Sequence, residues 1–146
     1  MYFGYYEHSL DDKGRLMIPA KLREGLSGGS PLYVLKGFEG CLSIYNEISF
    51  MKLSEKLSSL PYEDKEARSY IRNLLGSVVQ LNVDKLGRIQ VPTTILNKYQ
   101  ISRQVAVIGV GDHFELWDLA KYQEYEADNS KRFEDVADKL VNKDER

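Results

Sequence analysis

Asp11-Asp12-Lys13-Gly14-Arg15-Leu16-Met17-Ile18-Pro19 is written twice in this chain. Asp84-Lys85-Leu86-Gly87-Arg88-Ile89-Gln90-Val91-Pro92 keeps its frame: Asp, Gly three places on, Arg, an apolar-x-apolar run, then Pro. The offset is 84 − 11 = 73 positions. The match extends on both sides, Leu10 against Val83 and Leu22 against Ile95. Further on, Tyr33-Val34-Leu35 faces Ala106-Val107-Ile108 at the same offset. Leu42-Ser43-Ile44-Tyr45 faces Phe114-Glu115-Leu116-Trp117 at 72, so one residue has dropped from the intervening Gly-rich turn. Two copies fall short of the roughly three that a solenoid needs. The expectation is two half-domains completing one another around a pseudo-twofold axis.

Each copy reads as β-turn-β-α-β-β. In the first, residues 3–10 form an edge strand, with Phe3, Tyr5 and Glu7 on one face. Residues 11–14 turn, because Asp bonds nearby backbone N–H groups and Gly14 accepts a positive φ. Residues 15–18 form a short strand that Pro19 stops, opening a short helix at about 19–25. A hairpin of strands 32–36 and 41–45 follows. Asn46 is placed to cap a helix at 47–60, with Phe50, Leu53, Leu57 and Leu60 on one face. After Pro61 a second helix at 62–75 turns Ala67, Ile71, Leu74 and Leu75 inward and connects the copies.

The second copy repeats the order: strand 77–83, turn 84–87, strand 88–91, helix 92–99, strands 104–109 and 113–117. Asp118 then caps a helix. Phe133, Val136, Ala137 and Leu140 give the charged tail an amphipathic stripe, so it reads as a docked helix, with 141–146 frayed. The fold class is α+β, one domain over 1–146. It divides into a first repeat with its following helix at 3–60, a connector helix at 61–76, and a second repeat with C-terminal helices at 77–146. One copy has too small a sheet to bury both faces. Pairing the two ladders into a closed barrel removes most exposed edges.

Composition bounds the function. The chain has 146 residues, of which 42% are hydrophobic. A real core is within reach at that size. No apolar run approaches the ~20 residues of a membrane span, and the N-terminus lacks the pattern of a signal peptide. Cys41 is the single cysteine. It excludes an intrachain disulfide, fits a reducing cytoplasm and reads as a small core residue. The net charge is −2. That argues against a globally basic nucleic-acid binder but leaves a local basic patch open. Enzyme readings find no support. His8 and His113 are isolated, no Cys/His spacing suggests zinc, and no Ser/His/Asp order or phosphate loop occurs. No catalytic residue, metal or cofactor is expected. Gly109-Val110-Gly111 reads as a hairpin turn, lacking the third Gly of a dinucleotide fingerprint.

The repeated motif admits two readings. Asp11 with Arg15, and Asp84 with Arg88, can be local ion pairs that hold their hairpins. Alternatively they are a binding surface, since Lys13, Arg15, Lys21 and Arg23 cluster in the first copy and Lys85, Arg88 and Lys98 in the second. Arg suits planar recognition of phosphate or a guanine edge, an Asp beside it orients the guanidinium, and short strands and turns can enter a DNA groove. Aromatic platforms for single-stranded bases are absent near these turns.

On these motifs, together with Gly4, the run His8 to Arg23 and Phe114-Glu115-Leu116-Trp117, the chain resembles the MraZ family of bacterial regulators. That family is associated with the division and cell-wall gene cluster, and the resemblance covers nearly the whole length. It implies a swapped-hairpin β-barrel similar to AbrB-type regulators, with both halves in one chain and helices at the periphery. It implies ring-shaped homo-oligomers, an octamer among the sizes to test, that bind repeated promoter elements in double-stranded DNA. A cytoplasmic, nucleoid-associated repressor is the corresponding expectation, with no membrane partner. Arg15 and Arg88 carry over as DNA contacts, oriented by Asp11 and Asp84, with Lys13 and Lys21 as phosphate contacts. The second copy departs: Leu86 stands in place of Lys13, and Thr94 and Leu96 in place of Lys21 and Arg23. The first turn is therefore expected to be the stronger DNA surface and the second to serve partly in subunit contact. The alternative is an AbrB-like antitoxin or protein-interaction module.

Overall fold

The computed structural model describes residues 1–144. The chain runs β1 (Tyr2–Ser9), β2 (Arg15–Met17), a 3-10 turn (Ala20–Arg23), β3 (Pro31–Lys36), β4 (Leu42–Asn46), α1 (Glu47–Ser58) and α2 (Lys65–Leu75). It continues through β5 (Val79–Asn82), β6 (Arg88–Gln90), α3 (Thr93–Lys98), β7 (Gln104–Gly111), β8 (His113–Asp118), α4 (Leu119–Asn129), a second 3-10 turn (Ser130–Arg132) and α5 (Phe133–Asp144).

The duplication becomes an exchange of strands. One six-stranded antiparallel sheet has the order β1-β7-β8-β4-β3-β5, and β2 pairs with β6 in a separate ribbon. The first strand of each copy therefore lies against the third strand of the other. The registers obey one symmetry. Ser9 sits opposite Gln104, and the residues 73 positions away from each, Asn82 and Pro31, sit opposite one another. In the ribbon Arg15 faces Gln90 and Met17 faces Arg88, with Leu16 opposite its own equivalent, Ile89. The pseudo-twofold axis passes through that pair. It leaves the sheet between Ser43 and Glu115, which also face each other.

Side chains from both halves fill the space between ribbon and sheet. Leu16, Ile18, Leu22, Ile89 and Val91 pack there with Leu32, Val34, Ile44, Val107, Phe114 and Leu116. Burying each such side chain fully stabilises by about 1.5–3 kcal/mol. The larger sheet ends at β1 and β5, and its ladder does not close on itself.

Helix ends follow the expected caps. The Asn46 side chain accepts from the Ser49 N–H at 2.8 Å, and Asp118, its counterpart in the second copy, accepts from the Lys121 N–H. Several expectations are corrected. The helix expected at 19–25 is one 3-10 turn, which ends where the backbone turns extended at Glu24, with ψ of 127°. The helix expected from 62 begins at Lys65, because Asp64 accepts from the N–H groups of Glu66 and Ala67. Leu75, expected inward, faces solvent, while Leu74 packs with Leu35, Tyr45 and Leu57.

The tail is helical as expected, but it does not dock on its own chain. Phe133 is 75% exposed and Leu140 55%. Residues 141–144, expected to fray, continue α5. Residues 145 and 146 lie outside the described residues.

Candidate nucleic-acid interface

Both hairpin tips are built by the same few bonds. At the first, the Asp11 side chain accepts from the N–H groups of Lys13 and Arg15 at 3.0 and 2.8 Å, and its second oxygen accepts from Arg15 Nε. At the other, Asp84 accepts from the N–H groups of Leu86 and Arg88 at 2.9 and 2.8 Å and from Arg88 Nε at 2.8 Å. Each carboxylate closes its turn and orients its arginine at once. The turns close without strain because Gly14 and Gly87 take φ of 77° and 85°. Glycine tolerates this left-handed conformation best.

The tips are also joined across the axis. The Ile18 N–H donates to Gly87 C=O at 3.1 Å, and the Val91 N–H donates to Gly14 C=O at 2.9 Å. The Gln90 side chain donates to Lys13 C=O. Neither tip can therefore move far without the other.

The arginines are half-buried, with side-chain exposures of 32% for Arg15 and 26% for Arg88. Each gives only Nε to its aspartate. Among the described residues no acceptor bonds their Nη nitrogens, so the outer edge of each guanidinium fork is open to an acceptor from elsewhere. Both readings of the motif thus hold together: the pair fixes the turn, and the turn aims the free donors.

The Asp11 carboxyl is held down to about 2, from an ordinary value of 3.8. The foremost cause is the bond from the Arg15 N–H; desolvation, the next in size, works the other way, and the Arg15 guanidinium and the Lys13 N–H add to the lowering. Asp84 is lowered for the same reason, led by the Arg88 N–H. A depressed carboxylate contributes stability that is complete above its unfolded value and lost as pH falls through its folded value. The first tip is therefore expected to stay formed down to about pH 4 and to loosen between there and about pH 2. NMR titration of the Asp11 side chain checks this. A midpoint at the ordinary 3.8 would contradict the bonding described.

Lys13 and Lys21 are exposed, and Lys13 sits on the first tip. Lys21 belongs to the Ala20–Arg23 turn, which the sequence groups with that tip. The fold carries this turn across the axis instead, where Ala20, Arg23 and Glu24 share a cleft with Asp84, Lys85 and Gly87. Arg103, which sequence reasoning passed over, stands at the first tip. Its Nη2 donates to Asp12 at 2.8 Å and its Nε to Leu10 C=O at 3.1 Å. No signal in a single sequence pairs residues 91 positions apart.

Elsewhere the chemistry is quiet. Cys41 is fully buried between Ala106 and Trp117, and burial foremost pushes its thiol up to about 12. His113 bonds Asp112 and stacks on Tyr45. Among the described residues, no three His, Cys, Asp or Glu side chains gather as metal ligands, and no helix is long and apolar enough to cross a membrane.

Comparison with known proteins gives a consistent family. The family model described as "MraZ protein, putative antitoxin-like" matches twice, over residues 1–73 and 74–144. A protein of Mesoplasma florum named Transcriptional regulator MraZ is 39% identical over 96% of this chain and 95% of its own. One of Lactiplantibacillus plantarum with the same name is 36% identical over 97% and 99%. A Pyrococcus horikoshii protein known from its solution structure is 13% identical, with a TM-score of 0.38 over 79% of this chain and 96% of that one.

Proposed function

The chain belongs to the MraZ family, and from that premise we propose that it is a sequence-specific DNA-binding transcriptional regulator. The single observation that carries the reading is the pair of linked tips, Asp11–Arg15 and Asp84–Arg88, each with the outer guanidinium donors unbonded. Arg15 and Arg88 contact double-stranded DNA, Asp11 and Asp84 hold them in position, and Lys13 and Lys21 meet phosphates. The two relatives share the name Transcriptional regulator MraZ, which supports regulation of transcription rather than catalysis.

On this reading the protein represses the division and cell-wall gene cluster by binding repeated promoter elements. It works in the cytoplasm at the nucleoid and assembles as a ring-shaped homo-oligomer. Residues 1–146 form one domain, divided at 60/61 and 76/77, whose exchanged strand pairing is the basis of a swapped-hairpin barrel. Direct repeats could engage several tips of a ring at once, so weak single contacts gain from effective concentration. The solvent-facing stripe of α5 and the exposed Ile48 and Met51 of α1 supply apolar surface for assembly.

The same α5 stripe also favours a second reading, an antitoxin or protein-interaction module whose partner covers it. The deciding experiment is a nuclease footprint on the DNA upstream of the protein's own gene. Regular protection over repeated elements, weakening steeply with salt, is the expected result. No protection at any salt, with a foreign protein copurifying in fixed proportion, would favour the second reading.

A further inference from the structure

Arg23 and Leu96 are equivalent residues, 96 − 23 = 73 positions apart, and each crosses the pseudo-twofold axis to the opposite tip. Leu96 lies against Gly14. Arg23 lies against Gly87, where a side chain on the glycine would strike its Nη1 and Cδ. The packing task is the same at both places, and at one of them a leucine performs it. The guanidinium is therefore surplus to packing.

Its bonding is also thin. Nη1 lies 3.5 Å from Leu86 C=O and 3.8 Å from Met17 Sδ, both long. Nε is shut off from solvent with no partner at all. That is a rare state for a buried donor. The side chain borders an open cleft of about 320 Å³ that reaches Lys85 and Asp84.

The charges around the two tips then differ in a way the motif alone does not show. The first tip has Lys13 and Arg15, and its extra cation, Arg103, is spent on Asp12. The second tip has Leu86 in place of Lys13, Lys85 in place of Asp12, and Arg23 beside the Leu86 carbonyl. The second turn thus carries its lysine one place earlier than the first, and beside Leu86, where the first turn has Lys13, stands a cation from the first half of the chain. Asp84, a carboxylate of the same cleft, is committed to Arg88 and to two backbone N–H groups. Glu24 also lines the cleft, and its charge disfavours a phosphate beside it.

We propose that Arg23 is a DNA-phosphate-binding residue of the second tip, donated across the pseudo-twofold axis. This rests on the reading that the chain binds DNA. It makes the second tip a full DNA-contacting surface, in place of the subunit contact expected from Leu86, Thr94 and Leu96.

The test is Arg23→Leu in the full chain, which copies the solution the protein already uses at residue 96. Binding to DNA from upstream of the gene is followed over a range of salt, beside wild type, Arg23→Lys and Arg15→Ala. The expected result is an unchanged thermal midpoint and weaker binding. The slope of log affinity against log salt should fall by about 0.9 for each phosphate no longer neutralised. Arg23→Lys should keep most of the slope. Wild-type affinity and slope in Arg23→Leu, with binding abolished in Arg15→Ala, would overturn this proposal and leave the regulator reading standing. No binding by wild type would overturn both. Should Arg23→Leu fail to fold, Arg23→Gln gives the same comparison, and a wild-type slope there would overturn the proposal equally.

Discussion

Arg15→Ala is expected to abolish detectable binding to the repeated promoter DNA while leaving the fold intact. The two effects separate because of where the side chain sits. In the folded chain it makes one side-chain bond, to Asp11, at the solvent edge. A pair at the surface, about a third of each side chain open to solvent, contributes little to stability. The turn keeps its backbone bonds, with Asp11 still accepting from residues 13 and 15. On DNA the loss is larger. A bidentate guanidinium contact discriminates by about 1–3 kcal/mol, and the loss recurs at every linked tip. Arg15→Lys should recover charge but little affinity, because an ammonium cannot reproduce the planar fork. Gel shifts beside a thermal melt check both halves of this expectation. Wild-type affinity in a folded Arg15→Ala protein would remove Arg15 from the interface.

The second large effect is on stability. Leu16 has no exposed surface and meets Ile89, 1% exposed, on the pseudo-twofold axis. Leu16→Ala is expected to cost about 2–5 kcal/mol, since both tips hold the surrounding backbone in place and limit collapse into the cavity. That is a large part of the roughly 5–15 kcal/mol of a typical domain, and should lower the thermal midpoint by on the order of 10 °C. Its neighbour Met17 points outward at 38% exposure, so Met17→Ala is the internal control and should barely move the midpoint. Equal melting of the two variants would contradict the alternation described for β2.

Much of this was legible in the amino-acid order because it is local. An Asp four residues before an Arg, with Gly between, specifies a closed turn through bonds no longer than that span. Asn46 and Asp118 announce their helices for the same reason. The strand exchange was legible in outline, since a repeat too small to fold alone must borrow from its twin. What escaped depends on separations that no local rule covers. Arg23 reaches a carbonyl 63 residues away, and Arg103 an aspartate 91 residues back. The charged groups near each tip were therefore assigned by sequence neighbourhood, and Arg23 was grouped with the wrong one. The tail differs for another reason. Its apolar stripe at helical spacing gave the helix correctly. Periodicity records only that a face is apolar, however, and Phe133 and Leu140 meet solvent in the single chain.

That the two tips act as one DNA-facing surface is tested most directly by amide chemical-shift mapping while duplex DNA from upstream of the gene is added. Residues 11–15 and 84–88 should shift together and saturate at one DNA concentration, with α2 and α4 unaffected. Shifts confined to the helices, or to one tip while its twin stays silent, would contradict it.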